Sequence, residues 1–171
     1  MARHKFQFPQ PTKADHELIK AAHDGNIGEC LRALDDGGNV NAVSHSYATP
    51  LGEACWSNSV DIVRMLLERG ADPNHIEGGK TPLMEAAGRC NRDLIEILID
   101  AGANIEAKAE LAPGAYIDIP EMAQNKDRIL AVELRSLMNQ QKKVQDGTKL
   151  KLSDVSKQLD LDDQGRPRTL D

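Results

Sequence analysis

The sequence predicts an all-α solenoid: short helix-turn-helix units stacked side by side, with hairpin-like loops projecting between them. Three observations point there. Residues 18–41, 51–74 and 83–106 align end to end without a gap. Their spacing is about 33 residues, and a fixed period in this range marks a repeat architecture. Apolar residues recur at i, i+1, i+4 and i+5, as Ile62, Val63, Leu66, Leu67 in the second segment and Leu94, Ile95, Leu98, Ile99 in the third, which is one stripe of a helix. Aromatic residues make up only 3 % of the chain against 40 % hydrophobic overall. That composition suits a core of Leu, Ile, Val and Ala between stacked helices.

The elements follow in order. In the first unit Asp15 is the expected cap, since no Thr-Pro pair is present, and Gly25 makes the turn between its two helices. Thr49-Pro50 and Thr81-Pro82 start the next two units. Threonine accepts an orphan amide, and proline at the first helical position lacks only an N–H that would have no intrahelical partner. The first helix of the second unit should run from about Pro50 to Trp56. Asn58 and Cys90 occupy the turn that glycine fills in the first unit, a place for left-handed backbone. Gly37, Gly70 and Gly102 then end the second helices. Residues 109–117 lengthen the third loop, and DIPEMAQNKDRILAVEL (118–134) reads as a worn fourth copy with Pro120 and Ala123 in place and Asp127 at its turn. The predicted divisions are a basic tail over 1–13, a repeat domain over 14–138 with units at about 14–43, 46–76, 78–108 and 114–138, and a polar tail over 139–171. In that tail Leu152, Val155 and Leu159 could line one weak helix after Ser153, with disorder favoured for 162–171. Losing 142–171 is expected to leave folding nearly intact. Phe6 and Phe8 either pack on the first unit, the favoured reading, or form a sticky arm.

These segments closely resemble the ankyrin repeat family. TPLGEA and TPLMEA are similar to its TPLHxA, and GADPN and GANIE to its GADVN. The resemblance is strong over 15–108 and degenerate over about 114–138. It implies stacked helix pairs whose short first helices and loops line a concave, protein-binding face. The family's histidine, which links neighbouring loops, is replaced by Gly52 and Met84. The resemblance also implies that Asn41 and Asn74, and less directly Asn104, stand where an oxygen-sensing hydroxylase can modify the family. The simpler reading is that they bond their own loop backbone.

Charge and motif content narrow the function. Residues 1–13 carry +3 and residues 142–171 a net +1, so residues 14–141 hold −10 within a chain of −6. An acidic body repels nucleic acid phosphates and anionic membranes and favours a basic partner, or serves solubility alone. No apolar run is long enough to span a membrane, and the N-terminus lacks an apolar signal core. Three cysteines (Cys30, Cys55, Cys90) without metal-ligand spacing suit a reducing, cytoplasmic setting. Cys30 and Cys55 read as small packing residues, and Cys90 as the thiol most open to reagents. Gly78-Gly79-Lys80-Thr81 resembles the end of a phosphate loop, but Asn74 stands where its first glycine is needed. Neither a catalytic triad nor a metal set can be read from spacing, and Asp72, His75 and His45 lack a third soft ligand. No enzyme activity, cofactor or metal is expected.

The only tryptophan, Trp56, sets the binding expectation. On the repeat alignment Trp56-Ser57 matches His23-Asp24 in the first unit, Gly88-Arg89 in the third and Asn125-Lys126 in the fourth. No apolar type recurs, so these positions do not build the shared core. In ankyrin units they resemble the pair that ends the first helix and faces the concave surface. Tyr47 and His45 from the preceding loop, Lys80 from the next, and Tyr116 from the long loop are expected on the same side. An exposed Trp among Tyr and Arg has the composition of an interface anchor; the alternative is that it only shields its own unit. The expected function is a monomeric protein-binding module, a stoichiometric inhibitor or immunity-type plug for a basic partner. The rival is a bacterial or viral effector that recruits host proteins, with residues 139–171 as its signal.

Overall fold

The computed structural model describes residues 10–112, 115–124, 126–141, 155 and 159. Phe6, Phe8, Asn125, Leu152 and residues 162–171 lie outside the described residues. The first unit holds α1 (Lys13–His23) and α2 (Ile27–Asp35), the second α3 (Pro50–Trp56) and α4 (Val60–Glu68), the third α5 (Pro82–Arg89) and α6 (Arg92–Asp100). A hairpin of β1 (Lys108–Ala112) and β2 (Ala115–Asp118) leads to α7 (Ile119–Gln124) and α8 (Arg128–Gln141). The chain is thus an all-α solenoid.

Local chemistry starts each helix. The hydroxyls of Thr12, Thr49 and Thr81 accept from the amides of Asp15, Gly52 and Met84 at 3.2, 3.1 and 3.4 Å. The cap of α1 is therefore Thr12 and not Asp15. Asp15 closes the capping box by accepting from Thr12 N at 2.7 Å, and α1 begins one turn earlier than the repeat alignment places it. Its other oxygen accepts from Asn39 N at 2.7 Å. Burial alone would raise the Asp15 carboxyl, but the Asn39 and Thr12 amides and the Thr12 hydroxyl outweigh it and hold it below the ordinary value. Asp118 and Glu121 form the matching reciprocal cap before α7 at 2.9 and 3.1 Å, and Asp127 accepts from Leu130 N at the start of α8. Asn58 and Cys90 have φ of +61° and +57° in the inter-helix turns, beside Gly25 at +71°.

The core repeats with the sequence. Leu18, Leu51, Leu83 and Ile119 occupy equivalent places, followed by Ala22, Cys55, Ala87 and Ala123; each is 2 % exposed or less. On the second helices Cys30, Val63, Ile95 and Ala131, then Ala33, Leu66, Leu98 and Leu134, close the other side. The first helices α1, α3, α5 and α7 approach one another closely, while α2, α4 and α6 approach less closely. The stack therefore curves toward the first-helix side, which becomes its inner face.

Neighbouring units are also tied by loops. Asn41 Nδ2 donates to Gly70 O at 3.0 Å and its Oδ1 accepts from Asp72 N at 2.8 Å. Asn74 repeats this on Gly102 O and Asn104 N at 3.1 and 2.7 Å. Asn41 and Asn74 thus bond the next unit's loop, not their own. The bonds within a loop come from Asn39, Asp72 and Asn104, whose side chains accept from the amide two residues on. Arg92 clamps the third unit to the fourth through Asp127 and the buried Glu133. The polar tail is not wholly outside the core. Val155 is completely buried in it and Leu159 packs against it, with Leu159 N donating to Val155 O at 3.0 Å. Two apolar side chains of the tail therefore join the core, which bears on the expectation that losing 142–171 leaves folding nearly intact.

Candidate functional site

Trp56 ends α3 with 47 % of its surface exposed, and its ring meets two neighbouring side chains. His23 stacks on it with ring centroids 4.6 Å apart at 12°, and the Arg89 guanidinium carbon lies 4.9 Å from its ring centre. The three residues come from three successive units, so the indole staples units together as well as facing solvent.

A groove of about 430 Å³ opens beside this stack, lined by His23, Glu53, Trp56, Glu77, Lys80 and Glu85 among others. Glu53 holds His23 Nδ1 at 2.6 Å, and Glu85 holds Lys80 Nζ at 3.0 Å. Glu77 reaches from the next loop to Thr49, accepting from its amide at 3.1 Å and its hydroxyl at 3.4 Å. This answers the missing histidine. A Cβ on Gly52 would sit 1.9 Å from Glu77 Oε2, so the glycine leaves the hollow that the carboxylate fills. Glu77 thereby supplies a link between units that a histidine on the helix would otherwise provide. In the following unit Met84 Sδ accepts from Thr81 N at 3.4 Å. Burial pushes the Glu77 carboxyl above its ordinary value, and the nearby charges of Glu53 and Glu85 add to this against the Thr49 hydrogen bonds.

The other expected site residues divide. Ser57 is half-buried, and its hydroxyl contacts Ala22 O at 2.9 Å and Ser59 Oγ at 3.0 Å, so its polar group is used between units. Asp24 is exposed and closes α1 through its backbone. His45 is exposed but stacks on His16 at 5.9 Å and meets Gln10 at 3.0 Å, and so belongs to the first unit's end. Tyr47 is 67 % exposed at a φ of +65°, and Tyr116 is 60 % exposed on β2. The contacts of the Trp56 stack are to His23 and Arg89, not to either tyrosine. Lys80 lies in the groove. Gly78 and Gly79 make the tight turn between the bridged residues Glu77 and Lys80.

Sequence reasoning missed Glu53, Glu77 and Glu85. The available signal was Gly52 itself, a glycine inside a helix start, which calls for a close neighbour. The thiols are muted: burial pushes Cys30 up to about 11 and raises Cys55 further. Cys90 is half-buried, and burial followed by the charge of Asp127 raises it as well. Among the described residues no group of three His, Cys, Asp or Glu could hold a metal ion, and no helix is long and apolar enough to cross a membrane.

The profile for ankyrin repeats matches residues 18–109 as three copies. Human ankyrin repeat and SOCS box protein 11 is 36 % identical over 94 residues, covering 54 % of this chain and 28 % of that protein. Rat ankyrin repeat and SAM domain-containing protein 6 is 30 % identical over 134 residues, 77 % of this chain and 15 % of its own. A putative ankyrin repeat protein of fowlpox virus is 36 % identical over 69 residues, 40 % of this chain and 16 % of its own. The chain therefore spans under a third of the length of these relatives.

Proposed function

Since the chain belongs to the ankyrin repeat family, whose repeats are generally protein-interaction modules, we propose that it binds a partner protein on its inner face through a cationic segment seated beside Trp56. The observation that carries this is the gathering of Glu53, Glu77 and Glu85 around one groove with Trp56 at its wall. Lys80 balances only part of that charge. A partner's Lys or Arg entering there neutralises the carboxylates whose charge adds to the burial that raises Glu77, and its stem covers the exposed part of the indole. The remaining free surface of Tyr47 and Tyr116 extends the face for apolar contact. In this reading the protein is a monomer when free, works in the cytoplasm, and acts by occupying its partner, as an inhibitor or immunity-type protein does. The rival reading, with the C-terminal tail as a free signal, is disfavoured by the burial of Val155.

The test is affinity capture followed by mass spectrometry, run in parallel with wild type, Trp56→Ala and the pair Glu53→Gln/Glu85→Gln. The expected prey is basic, is lost above about 0.3 M salt, where screening shortens to a few Å, and is depleted on both variants. Prey held equally by all three proteins and at high salt would place the binding surface elsewhere.

A further inference from the structure

Beyond the acidic groove, the stack carries a recess of opposite character. It has a volume of about 530 Å³ and lies where the inter-helix turns of the second, third and fourth units meet. Arg89, Arg92 and Lys126 line it against a single lining carboxylate, Asp93. Arg92 is committed to Asp127 and Glu133. The other two cations are held by neutral groups: Arg89 rests on the Trp56 ring and Lys126 Nζ donates to Gly88 O at 2.8 Å. Among the described residues neither has a carboxylate ion pair. The side-chain carbonyl of Asn58 accepts from Asn91 Nδ2 at 2.7 Å, so the Asn58 NH2 is not the group used in that bond.

We propose that this recess is an oxyanion site that takes a phosphorylated side chain of the partner protein. This rests on the partner-binding reading above and adds a second chemical requirement to it. Donors from three units converge: the Asn58 amide, the Arg89 guanidinium and the Lys126 ammonium. Three donors match the three terminal oxygens of a phosphate monoester, where a carboxylate offers two. The guanidinium can satisfy two of those oxygens at once while the ammonium contributes a point charge. Arg89 stands between groove and recess, so a partner with a cationic residue followed by a phosphorylated one would engage both. A body that is acidic elsewhere makes the recess selective, because an anion is repelled from the groove and held only here.

The chain's single tryptophan reports on the site, since drawing Arg89 toward an anion alters its contact with the indole. Wild type is titrated with inorganic phosphate at ionic strength held constant by sodium chloride. It is then titrated with a short Gly/Ser peptide bearing one phosphoserine and with the same peptide unmodified. Trp56 emission and calorimetric heats are both read. Phosphate should give a saturable response that chloride does not. The phosphopeptide should give a saturable response of its own, and the unmodified peptide should give no response. Lys126→Gln leaves the Arg89–Trp56 contact in place and should weaken the phosphopeptide by about fivefold or more; adding Arg89→Gln should abolish the heat. Glu53→Gln/Glu85→Gln should leave the phosphate response unchanged, so failure of the groove and failure of the recess are separable. A response reproduced by chloride, a response that survives Arg89→Gln/Lys126→Gln, or a phosphopeptide that binds no better than its unmodified form would overturn the proposal.

Discussion

Gly52→Ala tests the link between units most directly. The added methyl would stand 1.9 Å from Glu77 Oε2 and 3.2 Å from Thr49 Oγ1. The Glu77 carboxylate ends a flexible side chain, so it can leave without distorting the backbone, but it then forfeits its hydrogen bonds to the Thr49 amide and hydroxyl. A hydrogen bond to a charged group contributes about 1.5–3 kcal/mol. Alanine returns up to about 1 kcal/mol by restricting the unfolded chain and favouring the helix. The net expectation is a loss of about 1–2 kcal/mol, or about 2–8 °C in melting temperature for a chain of this size. Urea denaturation of wild type, Gly52→Ala, Glu77→Ala and the double variant forms a cycle that isolates the coupling. With Glu77 absent the clash is gone, and Gly52→Ala should be neutral or stabilising. If Gly52→Ala stabilises the wild type by the same amount as it does the Glu77→Ala protein, the carboxylate does not fill that hollow and the link between units is misassigned.

The remaining expectations concern core, staple, tail and acidity. Leu66→Ala and Leu98→Ala, both fully buried, should each cost about 2–5 kcal/mol in denaturant unfolding, as cavities of that kind do. Trp56→Ala should cost about 1–2.5 kcal/mol, because it removes the His23 stack and the Arg89 contact together; a cost near zero would make the staple an incidental contact. Truncation after Gln141 should lower stability by at least about 1.5 kcal/mol by removing the buried Val155, and an unchanged melting curve would show that its site closes without it. Glu77 has a folded-state carboxyl raised above its ordinary value, so its contribution is most favourable below that ordinary value and is lost as pH rises through the raised one. The stability of wild type minus that of Glu77→Gln should accordingly fall as pH rises above the ordinary carboxyl value of about 4.3, and a difference that grows with pH would reverse the assigned shift.

The sequence by itself determined the unit. Period, apolar stripes, Thr-Pro starts and left-handed turns all act within a single repeat, so each leaves a pattern that one segment displays alone. The helices of the second and third units, the burial of Cys30 and Cys55, and the surface place of Trp56 followed from such patterns. What passes between units left no comparable mark. The cap at Thr12 was hidden because α1 starts a turn outside the aligned window. Glu77 is one acid among many in an acidic chain until the hollow above Gly52 sets it against Thr49. Asn41 and Asn74 carry the same local signature whether they bond their own loop or the next one; the stacking distance decides. Val155 shares only a sparse stripe with Leu152 and Leu159 in a polar stretch, a pattern that reads the same whether the stripe is buried or not; packing against the core decides it. Likewise the charges of Arg89 and Lys126 converge only because three turns from different units meet at one recess. Side chains a whole repeat apart in sequence acquire a shared chemistry through packing, and packing is a property of the assembled units.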